Sequence, residues 1–132
     1  MSGAGRGVRG WLVALVCAAT LCSAAPPTTR TITQLKIGQK GIGRTVFQGE
    51  KIETFDFEIV DLLKSDGFNA DMILIKVSGP KVDAIGGIAY GMSGSPLYID
   101  NDLIGAVAMT TADTDAHYGY ATPIADMMKL WD

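Results

Sequence analysis

Gly91-Met-Ser93-Gly-Ser95-Pro96-Leu-Tyr-Ile99-Asp-Asn-Asp102-Leu-Ile-Gly-Ala-Val-Ala-Met109 is the stretch on which the fold turns. Its first part is a loop of small residues closed by a proline. Its second part holds two apolar runs, Leu97–Ile99 and Leu103–Met109, on either side of Asp100-Asn101-Asp102. Aspartate and asparagine accept the backbone of a tight turn, so the two runs read as a β-hairpin. A strand and not a helix therefore follows the serine loop. That excludes the strand–Gly-X-Ser-X-Gly–helix elbow of the α/β hydrolases, and so does Ser95, which stands where that elbow has glycine.

Upstream the same reading applies. Glu53-Thr-Phe-Asp-Phe-Glu-Ile59 alternates, with Phe55, Phe57 and Ile59 on one face and Thr54, Asp56 and Glu58 on the other, the pattern of a strand buried on one side. Met72-Ile-Leu-Ile-Lys-Val77 is a near-continuous apolar run of strand length, closed by Ser78-Gly79-Pro80. Thr45–Phe47 is a short strand candidate, preceded by a turn-rich stretch punctuated by Gly38, Gly41 and Gly43. Ser65–Asn69 and Thr110–Gly119 read as loops, Tyr118–Thr122 as a last strand, and Pro123 as the opening of a short helix over Ile124–Trp131. About six strands with turns between them, followed by one terminal helix, predict an all-β domain built as a single small barrel.

Composition agrees. Sixteen glycines in 132 residues fit many turns and bulges, and 48% hydrophobic with 19% charged residues is enough for a packed core. Residues 1–25 stand apart. Arg6 and Arg9 precede the apolar run Trp11–Cys22, and Ser23-Ala24-Ala25 closes it with small residues. That is the order of a cleaved secretory signal, and the run is shorter than the ~20 apolar residues of a membrane span. The expectation is a secreted or periplasmic protein whose membrane contact is confined to this segment before cleavage, with its domain over residues 31–132. Cys17 and Cys22 both fall in the segment, so the remainder has no thiol for a disulfide. Loss of Arg6 and Arg9 would leave nine basic against fourteen acidic residues, a net charge of −5. No basic patch survives to bind nucleic acid.

The serine loop carries the chemistry. A serine hydroxyl is a weak nucleophile unless a base takes its proton and donors stabilise the oxyanion that forms. In a Gly-X-Ser-Gly loop, Gly91 puts no side chain in the way, so its N–H and that of Ser93 converge on one point. Each such donor contributes about 3–4 kcal/mol of transition-state stabilisation. Ser93 is thus the candidate nucleophile and the Gly91 backbone a candidate oxyanion donor. His117, the one histidine, is a candidate general base. It also alternates with Asp113 and Asp115, which would place three metal-ligating side chains on one face of an extended segment. Asp-Thr-Asp beside alanine and tyrosine reads more simply as a solvated loop, and no metal or other cofactor is expected. Lys76 and Lys81, candidates for a serine–lysine pair, stand at strand edges and read as solvated.

These residues carry a resemblance. Gly91–Pro96, the hairpin after it and Tyr118-Gly119 resemble the SpoIVB-type serine peptidase family. The likeness extends upstream through Gly38–Phe47, Glu53–Ile59, Met72–Val77 and Gly86-Gly87. The serine loop is also similar to the Gly-Asp-Ser-Gly-Gly-Pro loop of trypsin-like enzymes. The resemblance implies the nucleophile-bearing half of a chymotrypsin-like β-barrel, Ser93 as nucleophile, the backbones of Gly91 and Ser93 as oxyanion donors, and a polypeptide substrate. In the family the base is a histidine in a Gly-His segment from another part of the enzyme, and this chain has no such segment. An acidic residue before a proline is a further triad candidate in the family; here Gly79 precedes Pro80. The expectation is a partial, exported serine endopeptidase domain acting through an acyl-enzyme at Ser93, with its base on absent sequence. The other reading is a catalytically inactive peptide-binding or scaffolding barrel in the cell envelope that uses an exposed strand edge.

Overall fold

The alternation at Glu53–Ile59 becomes the inner and outer faces of a long strand. The computed structural model describes residues 25–131 apart from 68, 112 and 113, so the whole apolar run Trp11–Cys22, and Asp113, lie outside the described residues. The strands are β1 (Lys40–Val46), β2 (Ile52–Leu63), β3 (Met72–Ser78), β4 (Pro96–Ile99), β5 (Asp102–Thr110) and β6 (Tyr118–Pro123). Helix α1 (Pro80–Ile85) follows β3 and helix α2 (Ile124–Met128) ends the chain. All pairings are antiparallel, and the order β1-β2-β3-β6-β5-β4 closes where β4 meets β1 at Ile42–Tyr98 and Gly43–Leu97. Closure leaves short strands without long unpaired edges.

The interior is filled by alternate residues of β2, β3, β4 and β6, and by the buried run Ile104–Val107 of β5. Phe55, Phe57 and Ile59 of β2 meet Ile73, Ile75 and Val77 of β3, with Leu97, Ile104, Val107 and Ala121 from the other side, all buried. Asp56 and Glu58 stay outside. The apolar run of β3 resolves into the same alternation: its odd-numbered positions are fully buried, Met72 and Leu74 are half-buried and Lys76 is exposed.

β1 starts five residues before the strand expected at Thr45. Gly41 and Gly43 are strand residues and not turns, because they pair with Phe57 and Phe55 across the ladder. Each ring folds over the glycine opposite, and a β-carbon at Gly43 would fall inside the Phe55 ring. The expected hairpin is present, with Asp100 and Asn101 both at positive φ (51° and 69°). The terminal helix is shorter than Ile124–Trp131, and α1 is an addition to the sequence reading. Pro80 stands at its first position and Gly86 caps its C-terminus in the left-handed region at φ 88°.

A strap closes the outer side of the hairpin. The Leu103 N–H donates to the Thr28 carbonyl at 2.8 Å, and the Arg30 N–H donates to the Leu103 carbonyl at 3.1 Å. Arg30 bridges Asp102 at 2.6 Å and Asp100 at 3.2 Å, and the Thr28 hydroxyl also donates to Asp102. The Thr28 hydrogen bond, then Arg30, hold the Asp102 carboxyl below the ordinary aspartate value of 3.8. A carboxylate with a lowered folded-state value contributes stability above its unfolded value, and that contribution is lost as pH falls through the folded one. Thermal melts between pH 6 and pH 2 are therefore expected to fall more shallowly in Asp102→Asn than in the wild type. Parallel curves would show that the strap adds nothing.

Candidate active site

The serine loop is held at both ends by the barrel it caps. After α1, Gly87 donates to the Val82 carbonyl at 2.9 Å and Ile88 to the Ala116 carbonyl at 2.7 Å. Met92, 2% exposed, anchors the centre. Its N–H donates to the Ala89 carbonyl at 3.1 Å, and its Sδ accepts the Ala89 N–H at 3.3 Å. Past the serine, the Gly94 N–H donates to the Val107 carbonyl at 2.7 Å and the Val107 N–H to the Ser95 carbonyl at 3.0 Å. The buried Ser95 hydroxyl donates to Thr45 Oγ1 at 2.9 Å, joining the loop to β1.

Burial of Met92 and Ser95 turns Ser93 outward, where it is exposed. Gly91 and Gly94, at φ 103° and 86°, make the bends on either side of it. Among the described residues no protein acceptor takes the Gly91 N–H or the Ser93 N–H. The Ser93 Oγ donates to the Ala108 carbonyl at 3.1 Å. That carbonyl is available because the β5–β6 register shifts between Val107 and Met109, leaving Ala108 as the extra residue of a bulge.

Two clefts meet at Gly91 and Ser93. The first, of about 550 Å³, lies between Ile88–Tyr90 and the Val107–Thr110 end of β5, and no charged side chain lines it. The second, of about 440 Å³, runs past Arg44, Val46, Ile52, Pro96 and Tyr98. β4 leaves the side of β5 at the Pro96–Ala106 pair, so the backbone from Ala108 to Thr110 has no strand beside it on the cleft side.

The other candidates are elsewhere. His117 opens the approach to β6, with Nδ1 2.7 Å from Asp115 Oδ1 and Nε2 3.4 Å from Asp83 Oδ1 on α1. Both ring nitrogens meet carboxylates and neither is directed at Ser93. The His117 backbone N–H, then its ring, hold the Asp115 carboxyl below the usual aspartate range. Among the described residues no group of three metal-ligating side chains is assembled; Asp113 lies outside them. Lys76 lies over the Tyr118 ring at 5.3 Å, and Lys81 pairs with Glu53. Sequence reasoning missed the Ala108 carbonyl and Arg44. The bulge leaves no mark in the uniform run Leu103–Met109, and Arg44 falls in the turn-rich stretch before the strand expected at Thr45, with nothing to show that β4 closes beside it.

Comparison with known proteins settles the lineage. The family model of the SpoIVB peptidase S55 matches residues 7–128. The chain belongs to the SpoIVB peptidase S55 family. Among solved structures, the active form of the Rv3671c protease of Mycobacterium tuberculosis superposes with a TM-score of 0.60 at 17% identity, over 80% of this chain and 46% of that one. Its inactive form gives 0.58 at 17% over 80% and 53%, and a serine-to-alanine mutant in the inactive form gives 0.58 at 15% over 80% and 51%. This SpoIVB-family chain thus spans about half the length of those structures. The likeness extends to the fold, a chymotrypsin-like barrel with a short C-terminal helix. A comparison with curated proteins returned no match.

Proposed function

We propose that this chain is the nucleophile-bearing barrel of an exported serine endopeptidase, in which Ser93 forms the acyl-enzyme. One observation carries the reading. An exposed serine stands beside two backbone N–H groups without protein acceptors, at the junction of two clefts. A peptide laid along Ala108–Thr110 would extend the sheet and bring its scissile carbonyl over Ser93. As Ser93 Oγ adds to that carbonyl, its proton passes to a base, and the new oxyanion faces the Gly91 and Ser93 N–H groups. The amine then leaves with a proton returned by the base, and water hydrolyses the ester. The Ala108 carbonyl cannot take the serine proton, so the base comes from a group not at Ser93 in this barrel. Export rests on the basic, apolar and small-residue order of residues 6–25.

The same Ser93–Ala108 hydrogen bond favours the second reading, a peptide-binding barrel without catalysis. A fluorophosphonate reagent, followed by intact mass, separates the two. Labelling of the signal-free protein that disappears in Ser93→Ala supports an activated nucleophile, and further loss in His117→Ala would put the base in this chain. A folded protein that takes no label at all would leave the peptide-binding barrel.

A further inference from the structure

Resting on that reading, we propose that Arg44 selects peptides with a carboxylate side chain, one that lies across Ser93 from the apolar cleft. Arg44 is the one charged residue lining either cleft at the nucleophile. Its guanidinium lies over the Tyr98 ring, 4.8 Å from the centroid, and is exposed. Stacking uses the face of the group and leaves its N–H edges for a planar acceptor. Among the described residues no carboxylate pairs with it, which it shares with Lys36, Lys51, Lys64 and Lys76, but it alone of these lines the cleft. Glu53, next in the chain to Arg44's cross-strand partner Thr54, lies on the other face of β2 and belongs to Lys81, and Asp56, opposite Ile42 on Arg44's own face, makes no ion pair with it. This cation stands where a substrate would pass. Val46, Ile52 and Pro96 give the cleft an apolar wall beside Arg44. The ligand is therefore a peptide with an apolar residue in the first cleft and a glutamate or aspartate in the second, held by a forked hydrogen bond.

The test is a nuclear magnetic resonance titration of the signal-free chain, which needs no turnover. The probes are two blocked tetrapeptides, acetyl-Leu-Ala-Ala-Glu-amide and its Gln counterpart. The signals followed are the backbone amides of Gly91 and Ser93 and the Arg44 Nε–H. The Glu peptide is expected to bind about threefold more tightly, the size of a partly exposed ion pair, and to shift the Arg44 signal. That preference should vanish in Arg44→Gln, persist weakly in Arg44→Lys and shrink at high salt. Equal affinities for the two peptides, with Gly91 and Ser93 still shifting, would overturn the role of Arg44 and leave the peptidase reading intact. If neither peptide moves those amides, the cleft takes no polypeptide and both fall.

Discussion

Phe55→Ala is expected to destabilise the barrel by about 3–5 kcal/mol, the usual cost of removing a buried ring. A domain of this size has about 5–15 kcal/mol in all, so the variant should be near the edge of folding, with its urea midpoint lower by about 2–3 M. The ring is 3% exposed and covers Gly43 on the paired strand. For the same reason Gly43→Ala should cost about 1–3 kcal/mol, because the new methyl displaces the ring. The two changes act on one space. Once the ring is gone the methyl has room, so the double variant should cost less than the sum of the singles by at least about 0.5 kcal/mol. Strict additivity in urea unfolding would show that the ring does not rest on the glycine.

Gly87→Ala should be nearly as damaging and should reach the site. Gly87 sits at φ 124°, where a side chain is strained, and its β-carbon would strike the Ala116 carbonyl and the His117 N–H. Strain and overpacking each add about 1–3 kcal/mol. Both neighbours are backbone, so neither swings aside. The Ile88–Ala116 hydrogen bond would stretch and the wall of the apolar cleft would move back from Ser93. Gly86→Ala is the control: it shares the left-handed conformation, but its β-carbon meets nothing within 4 Å. Faster amide exchange at Ile88 and weaker fluorophosphonate labelling are expected in Gly87→Ala and not in Gly86→Ala. Similar stability of the two variants would remove the steric argument.

What could be read from the sequence was what period and turn chemistry encode locally. The alternation of Phe55, Phe57 and Ile59 marks one buried face, and Asp100-Asn101 marks a turn that only residues tolerant of positive φ make. The exposed loop at Ser93 was legible because glycines and small residues cluster around it before Pro96. What stayed hidden depends on partners distant in the chain. Gly41 and Gly43 looked like turns because the rings that cover them lie sixteen and twelve residues on, across a hairpin. α1 is six residues long, too short for a helical period to show. The Ala108 bulge is set by pairing with β6, and the place of His117 between Asp83 and Asp115 by the approach of α1 to the β6 corner.

The strap at Thr28–Arg30 gives the barrel a polarity. β4 is four residues long, about 13 Å, with the serine loop at its start and the strapped hairpin turn at its end. Thr28 is thereby held at the end of β4 away from Ser93. A tag, tether or fusion partner joined at that end leaves the mouth of the clefts clear, and a long polypeptide can reach Ser93 without passing the point where the barrel is moored.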